Sequence, residues 1–179
     1  MDRKKNILIT GQPGIGKTTF IKKLAEELKD MHPCGFYTTE TREAGIRKGF
    51  ELIGLDGSKG ILSHVDIKSP YRVSKYGVDV EGFETFLESI SVLDRTTSIV
   101  IIDEIGKMEC FSIKFTALIK EILDSEKLLV ATVALEGRGL IADIKKRGDI
   151  KLFQLKLENR DSSVSGILKY IRDLGKNIG

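Results

Sequence analysis

Apolar residues along this chain fall into two rhythms. Short uninterrupted runs, "NILIT" (Asn6–Thr10), "SIVIID" (Ser98–Asp103) and "KLLVATV" (Lys127–Val133), read as strands buried on both faces. Elsewhere apolar residues recur every three or four positions, the spacing of an amphipathic helix. Phe20, Ile21, Leu24, Ala25 and Leu28 do so within Lys17–Lys29, where "DMHP" stops the pattern. The same rhythm predicts helices over Val80–Leu93, Phe111–Leu123, Leu140–Lys146 and Ser162–Leu174. "CGFYTTET" (Cys34–Thr41) is a further strand, and "IKLFQLKL" (Ile150–Leu157) alternates as a strand near a sheet edge does. Gly45–Val65 holds two strand-like runs around "LDGSKG", whose Asp-Gly marks a turn, so a β-hairpin insertion is predicted near residues 45–64. Residues 66–80 show no period and are read as irregular.

Doubly buried strands alternating with helices predict an α/β fold: a mainly parallel sheet covered by helices on both faces. Ligands of such sheets bind beyond the carboxyl ends of the strands. Gly11 and Asp103 both fall at such ends. With no repeat, low-complexity segment or dividing linker, residues 1–179 are read as a single domain.

Composition narrows this picture rather than changing it. The net charge of +3 is close to balance, so a nucleic-acid partner is not indicated, and nothing specifies a protein partner. Cys34 and Cys110 lie far apart at no disulfide or zinc spacing and are read as small buried hydrophobes in a reducing compartment. No apolar run approaches the ~20 residues of a membrane span, and "MDRKKN" leads into a strand without a signal-peptide core. The expectation is a soluble cytoplasmic protein with no membrane partner.

Candidate chemistry begins at "GQPGIGKTT". Gly11, Gln12, Pro13, Gly14, Ile15, Gly16, Lys17, Thr18 and Thr19 carry G-x-x-x-x-G-K-[ST], the Walker A phosphate loop, between a strand and a helix. A triphosphate is held by successive backbone N–H groups at a helix N-terminus, and glycines let the backbone come close. Lys17 then reaches the β- and γ-phosphates, and the Thr18 hydroxyl is a Mg²⁺ ligand. The strand "SIVIID" ends on Asp103 in the Walker B manner, giving the metal a second protein contact. Glu104 beside it is placed to orient and polarise a water for attack on the γ-phosphorus. Thr132 ends the next strand, as a sensor of phosphate or water or as an ordinary strand threonine. Arg42, Arg47, Lys107 and Arg138 are the candidates for transition-state charge. Asn159 and Arg160 lie where a strand gives way to the last helix, as base contacts or as a cap and surface loop. No Asn-Lys-x-Asp guanine motif is present.

In order along the chain, "GQPGIGKTT", "GFYTTETRE", "KYGVDVEGFE", "IIDEIGKME" and "LENRD" resemble the small nucleoside-triphosphatases first known from thermophilic bacteria and archaea, a family that includes the human cancer-related nucleoside-triphosphatase. The resemblance implies a RecA-like P-loop core and Mg²⁺-dependent hydrolysis of nucleoside triphosphates, ATP and GTP among them, to diphosphates with broad base tolerance. It also implies a second nucleotide-binding segment at Val100, Ile101, Ile102, Asp103, Glu104, Ile105, Gly106 and Lys107. The chain departs from the family pattern at Thr39, where acidic residues are usual, and at Cys110, where leucine is. Two other readings stand beside hydrolysis: a nucleotide or polynucleotide kinase on the same core, and a nucleotide-gated interaction module.

Overall fold

A computed structural model describes residues 4–175; Met1–Arg3, from the segment read above as leading into the first strand, and residues 176–179 lie outside it. Strand β1 (Asn6–Thr10) buries all five residues. Helices cover it on both faces, and parallel neighbours pair with it on either side: β8 (Leu128–Val133) and β9 (Ile150–Gln154). Beyond β8 come β7 (Ile99–Ile105) and then β2 (Cys34–Glu43), so the parallel half runs β2-β7-β8-β1-β9. β9 is an edge strand, as its alternation predicts, and ends at Gln154.

Pleating sends alternate residues of these strands into two cores. Ile7, Ile9 and Ile101 pack on Ile21 and Leu24 of α1 (Lys17–Glu27) and on Ile167 and Ile171 of α5 (Arg160–Gly175). Leu8, Val100 and Ile102 point the other way, to Phe83 of α2 (Val80–Ser89), Phe115 and Ile119 of α3 (Ile113–Asp124) and Ile141 of α4 (Leu140–Ile144). Asp79 caps α2 by accepting from the Gly82 N–H, and Ser112 caps α3 by accepting from the Phe115 N–H. The Ser112 cap is why α3 starts after Phe111, which instead closes a 3-10 turn, Glu109–Phe111.

The predicted hairpin exists, but not as a separate insertion. β2 continues to Glu43, turns through Ala44 and Gly45, and pairs along its length with β3 (Ile46–Gly54). β3 pairs with β4 (Lys59–His64) around the Asp-Gly turn, where Gly57 has φ 89°. Residues 66–80 are not all irregular: β5 (Arg72–Val73) and β6 (Tyr76–Val78) extend the sheet as a small hairpin. Strands this short hold too few residues to show a period. One continuous nine-stranded sheet results, an antiparallel wing β5-β6-β4-β3 joined to the parallel half at β2. Cys34 and Cys110 are free thiols and only half-buried. No helix among the described residues is long and apolar enough to cross a membrane.

Candidate functional site

Beyond β1 the chain enters the glycine-rich loop. Gly14 and Gly16 take φ of 78° and 101°, the left-handed region where a Cβ is strained. Gly16 is the N-cap of α1, and no side chain caps that helix. Its first-turn N–H groups are therefore left to meet an anion at the positive end of the helix dipole. Lys17 folds back along the loop, its Nζ donating to the Gly11 carbonyl at 3.1 Å and lying 3.7 Å from Glu104 Oε2.

Asp103 is fully buried two residues before the end of β7, and hydroxyls from three elements converge on it. Thr18 Oγ1 on α1 donates to Oδ2 at 2.7 Å, Thr132 Oγ1 on β8 to Oδ1 at 2.6 Å, and Thr38 Oγ1 on β2 to Oδ2 at 3.4 Å. Thr132 thus orients Asp103. Thr38 was not singled out by sequence; only the pairing of β2 with β7 brings it here. The Asp103–Glu104 peptide is cis. Burial pushes the Glu104 carboxyl above the usual carboxylate range; Lys17 opposes the shift and Asp103 adds to it. Lys145, a residue sequence reasoning missed, staples the loop after β8 by donating to the Ala134 and Leu135 carbonyls at 2.6 and 2.8 Å. Its ammonium is held below its ordinary value by burial, against the attraction of Glu104 and Glu136.

These groups open onto a cleft of about 750 Å³. The phosphate loop forms one wall through Gly11, Gln12, Pro13, Gly14, Gly16, Lys17 and Thr18. Asp103, Glu104, Lys107, Met108 and Glu109 follow, and Glu40 of β2 with Arg47, Phe50, Leu62 and Val73 of the wing line the far side. Ile15 instead packs into the α1/α5 core, and Thr19 is exposed beside the loop. Val100, Ile101, Ile102 and Ile105 are fully buried supports of the strand, with Gly106 buried just past it. Of the candidate cations, Lys107 and Arg47 line the cleft. Arg47 is held by Glu40 at 2.9 Å and by the Tyr76 hydroxyl at 2.9 Å, while Arg42 is tied to Glu40 and Arg138 is exposed. Asn159 serves its own loop: Oδ1 accepts from the Lys156 N–H at 2.8 Å and Nδ2 donates to the Gln154 carbonyl at 3.0 Å. Arg160 packs beside Gly16 of the phosphate loop.

A family model described as NTPase matches residues 6–168. The chain belongs to this NTPase family. Among its relatives, the nucleoside-triphosphatase THEP1 of Thermotoga sp. strain RQ2 is 46% identical over 167 residues, covering 93% of this chain and 95% of the relative. The mouse cancer-related nucleoside-triphosphatase homolog is 34% identical over 186 residues, covering 94% and 97%. The family fold is shared in detail. The crystal structure of THEP1 from Aquifex aeolicus superposes with a TM-score of 0.82 at 38% identity, covering 93% of this chain and 98% of that one. The solution structure of a human cancer-related nucleoside triphosphatase gives 0.79 at 34%, covering 94% and 98%.

Proposed function

We propose that this protein hydrolyses nucleoside 5′-triphosphates to diphosphate and phosphate with Mg²⁺, accepting ATP, GTP and other bases. The observation that carries this reading is the 2.7 Å contact between Thr18 and Asp103, whose chain neighbours Lys17 and Glu104 approach to 3.7 Å. The loop that suits phosphates and the strand carboxylate that suits a metal meet at one point. The names of its relatives, nucleoside-triphosphatases, support it.

The donor set fits Mg²⁺. A hydroxyl and a carboxylate, both hard oxygen donors, lie adjacent at the helix start and near the strand end, the remaining positions being suited to phosphate oxygens and water. Among the described residues no group of three or more His, Cys, Asp or Glu could form an all-protein cage, so the metal should arrive with the nucleotide. Bound there, Mg²⁺ neutralises charge on the phosphates. The first-turn amides of α1 and Lys17 bind and orient the phosphates. Thr132 and Thr38 fix Asp103. Glu104, a base whose affinity for a proton is raised by burial, takes the hydrogen bond from the attacking water and then its proton. With Asn159 turned to its own loop, base selection falls to shape and stacking, so discrimination among purines should be modest, on the order of 1–3 kcal/mol or less. A cytoplasmic setting, with abundant nucleotide and reduced thiols, suits this chemistry.

The test is a hydrolysis panel over the common nucleoside triphosphates with products identified, with and without chelator. Chelation should abolish turnover while circular dichroism stays unchanged; lost secondary structure would reveal a structural metal instead. Because the cleft continues past Glu104 to the wing, a second reading is phosphoryl transfer to an acceptor there. Label from the γ-phosphate appearing on added nucleosides or nucleic-acid ends, rather than as free phosphate, would favour it.

A further inference from the structure

One carboxyl in the cleft has no part in the scheme above. Glu109 opens the 3-10 turn behind Glu104 and is 5% exposed. Burying an acid this deeply is costly unless it is neutral or paired, and no lysine or arginine among the described residues forms an ion pair with it. Gly106 shows where the carboxyl points. A methyl group built on that glycine would lie 2.8 Å from Glu104 Oε1 and 2.9 Å from Glu109 Oε2. The two carboxyls converge on the space that a side chain at 106 would fill.

We infer that Glu109 is a positioning residue for hydrolysis: its carboxyl holds the Glu104 carboxylate across the space left open by Gly106. This role rests on Glu104 as the water-orienting group. Burial pushes Glu109 up to about 8; its own N–H and that of Gly106 oppose the shift, and Glu104 and Asp103 add to it. At neutral pH Glu109 therefore keeps its proton. A protonated carboxyl has one O–H to donate, whereas an ionised one would repel Glu104. The pair then carries a single negative charge, which Lys17 faces at 3.7 Å and Lys145 attracts. From α2, Glu84 is engaged elsewhere, accepting from the Ser112 hydroxyl at 2.7 Å beside Lys114. Glu109 neither gains nor loses a proton over a turnover; it sets the direction in which Glu104 presents its free oxygen.

The experiment measures kcat and KM for Mg·ATP from about pH 6 to about pH 10 in Glu104→Gln, Glu109→Ala, Glu109→Gln and Gly106→Ala, the range spanning the ionisation of interest. Glu109→Ala should lower kcat by about 10- to 100-fold, as misplacing a reacting group does, with KM within about twofold. Glu109→Gln keeps the shape and a donor but cannot ionise. It should recover most of that loss and lack the fall in kcat expected of the parent above about pH 8. Gly106→Ala pushes both carboxyls aside with Glu109 intact, and should lower kcat without raising KM. The role is overturned if Glu109→Ala keeps the parent kcat and pH profile, or if Glu109→Gln is as slow as the alanine variant at neutral pH. Should Glu109→Ala not fold, the glutamine pH profile and Gly106→Ala decide alone. A Glu104→Gln variant that hydrolyses at the parent rate defeats the water-orienting reading itself; an inactive one beside an unaffected Glu109→Ala defeats only the positioning role.

Discussion

In the parallel half of the sheet β1 buries all five of its residues and β8 all six, whereas in the wing β3 buries three of nine and β4 two of six. Strands of the first half feed a core on each face and cannot slide or tilt without disturbing both. The wing packs chiefly one face, under α2, and leaves Ile46 and Ile61 more than half exposed. Lys17, Thr18, Asp103, Glu104 and Thr132 all sit on the first half or at its strand ends. Arg47, Phe50 and Val73 sit on the wing. The proposed chemistry, which needs fixed distances, falls where the backbone is held from both sides, and the wall that shapes the rest of the cleft falls where it is held from one.

The sharpest way to break this division is Glu104→Gln. It keeps the size of the side chain but removes its basicity, so single-turnover hydrolysis should fall about 10²–10⁴-fold while Mg·ATP still binds. Lys17→Ala should lose affinity and turnover together, as expected of an ammonium that contacts ground and transition states alike. Arg47→Ala should cost far less, about tenfold in kcat/KM, and Arg138→Ala nothing measurable. If Arg47→Ala were as damaging as Glu104→Gln, the wing would share the chemistry and the division would fail.

Stability offers the next contrast. Ile101→Ala, in the doubly covered half, should cost about 2–5 kcal/mol in urea unfolding. Ile61→Ala on the open wing face should stay within about 0.5 kcal/mol. Comparable losses would mean that the wing face is covered in solution. A smaller effect distinguishes Glu109 from ordinary carboxyls. Its folded value of about 8 exceeds the 4.5 of an unperturbed glutamate, so the folded chain binds the proton more tightly. That contribution is complete below pH 4.5 and is lost as pH rises towards 8, leaving the parent less stable at alkaline pH. Glu109→Gln should flatten this slope in melting temperature against pH; an unchanged slope would show that Glu109 is ionised in the fold throughout. Smallest of all, Asn159→Ala should cost about 1 kcal/mol of stability and leave the ATP-to-GTP ratio of rates unchanged. A shifted ratio would return that residue to base recognition.

The two halves were not equally legible in the sequence. The doubly buried strands announce themselves as unbroken apolar runs, and the phosphate loop and Asp103 are written in contiguous residues whose spacing is local. What joins them is not local. Nothing in "GFYTTET" says that Thr38 reaches Asp103, because that depends on β2 lying beside β7 in a parallel register. Glu109 stands within the quoted "IIDEIGKME", yet only the 3-10 turn brings its carboxyl back towards Glu104. β5 and β6 escaped notice because two or three residues cannot display alternation. The polar residues at the β9–α5 junction suit either a ligand or a loop, and the bonds from Asn159 to Lys156 and Gln154 depend on a loop path that no local pattern displays.

The strand order also has a consequence in time. Ile7 of β1 pairs with Val130 and Lys151, so the first strand finds its neighbours only in the last third of the chain. The wing is the opposite: Thr38 meets Leu52 and Gly49 meets His64, partners made within a short stretch of synthesis. Contacts close in sequence form fast, and distant ones wait for the intervening chain to be ordered. On the ribosome the β2–β3–β4 meander can assemble while β1 is still waiting, its apolar face unmatched until β8 and β9 emerge. The glycine-rich loop after β1 thus precedes β8 and β9 in synthesis but takes its shape only once they have arrived.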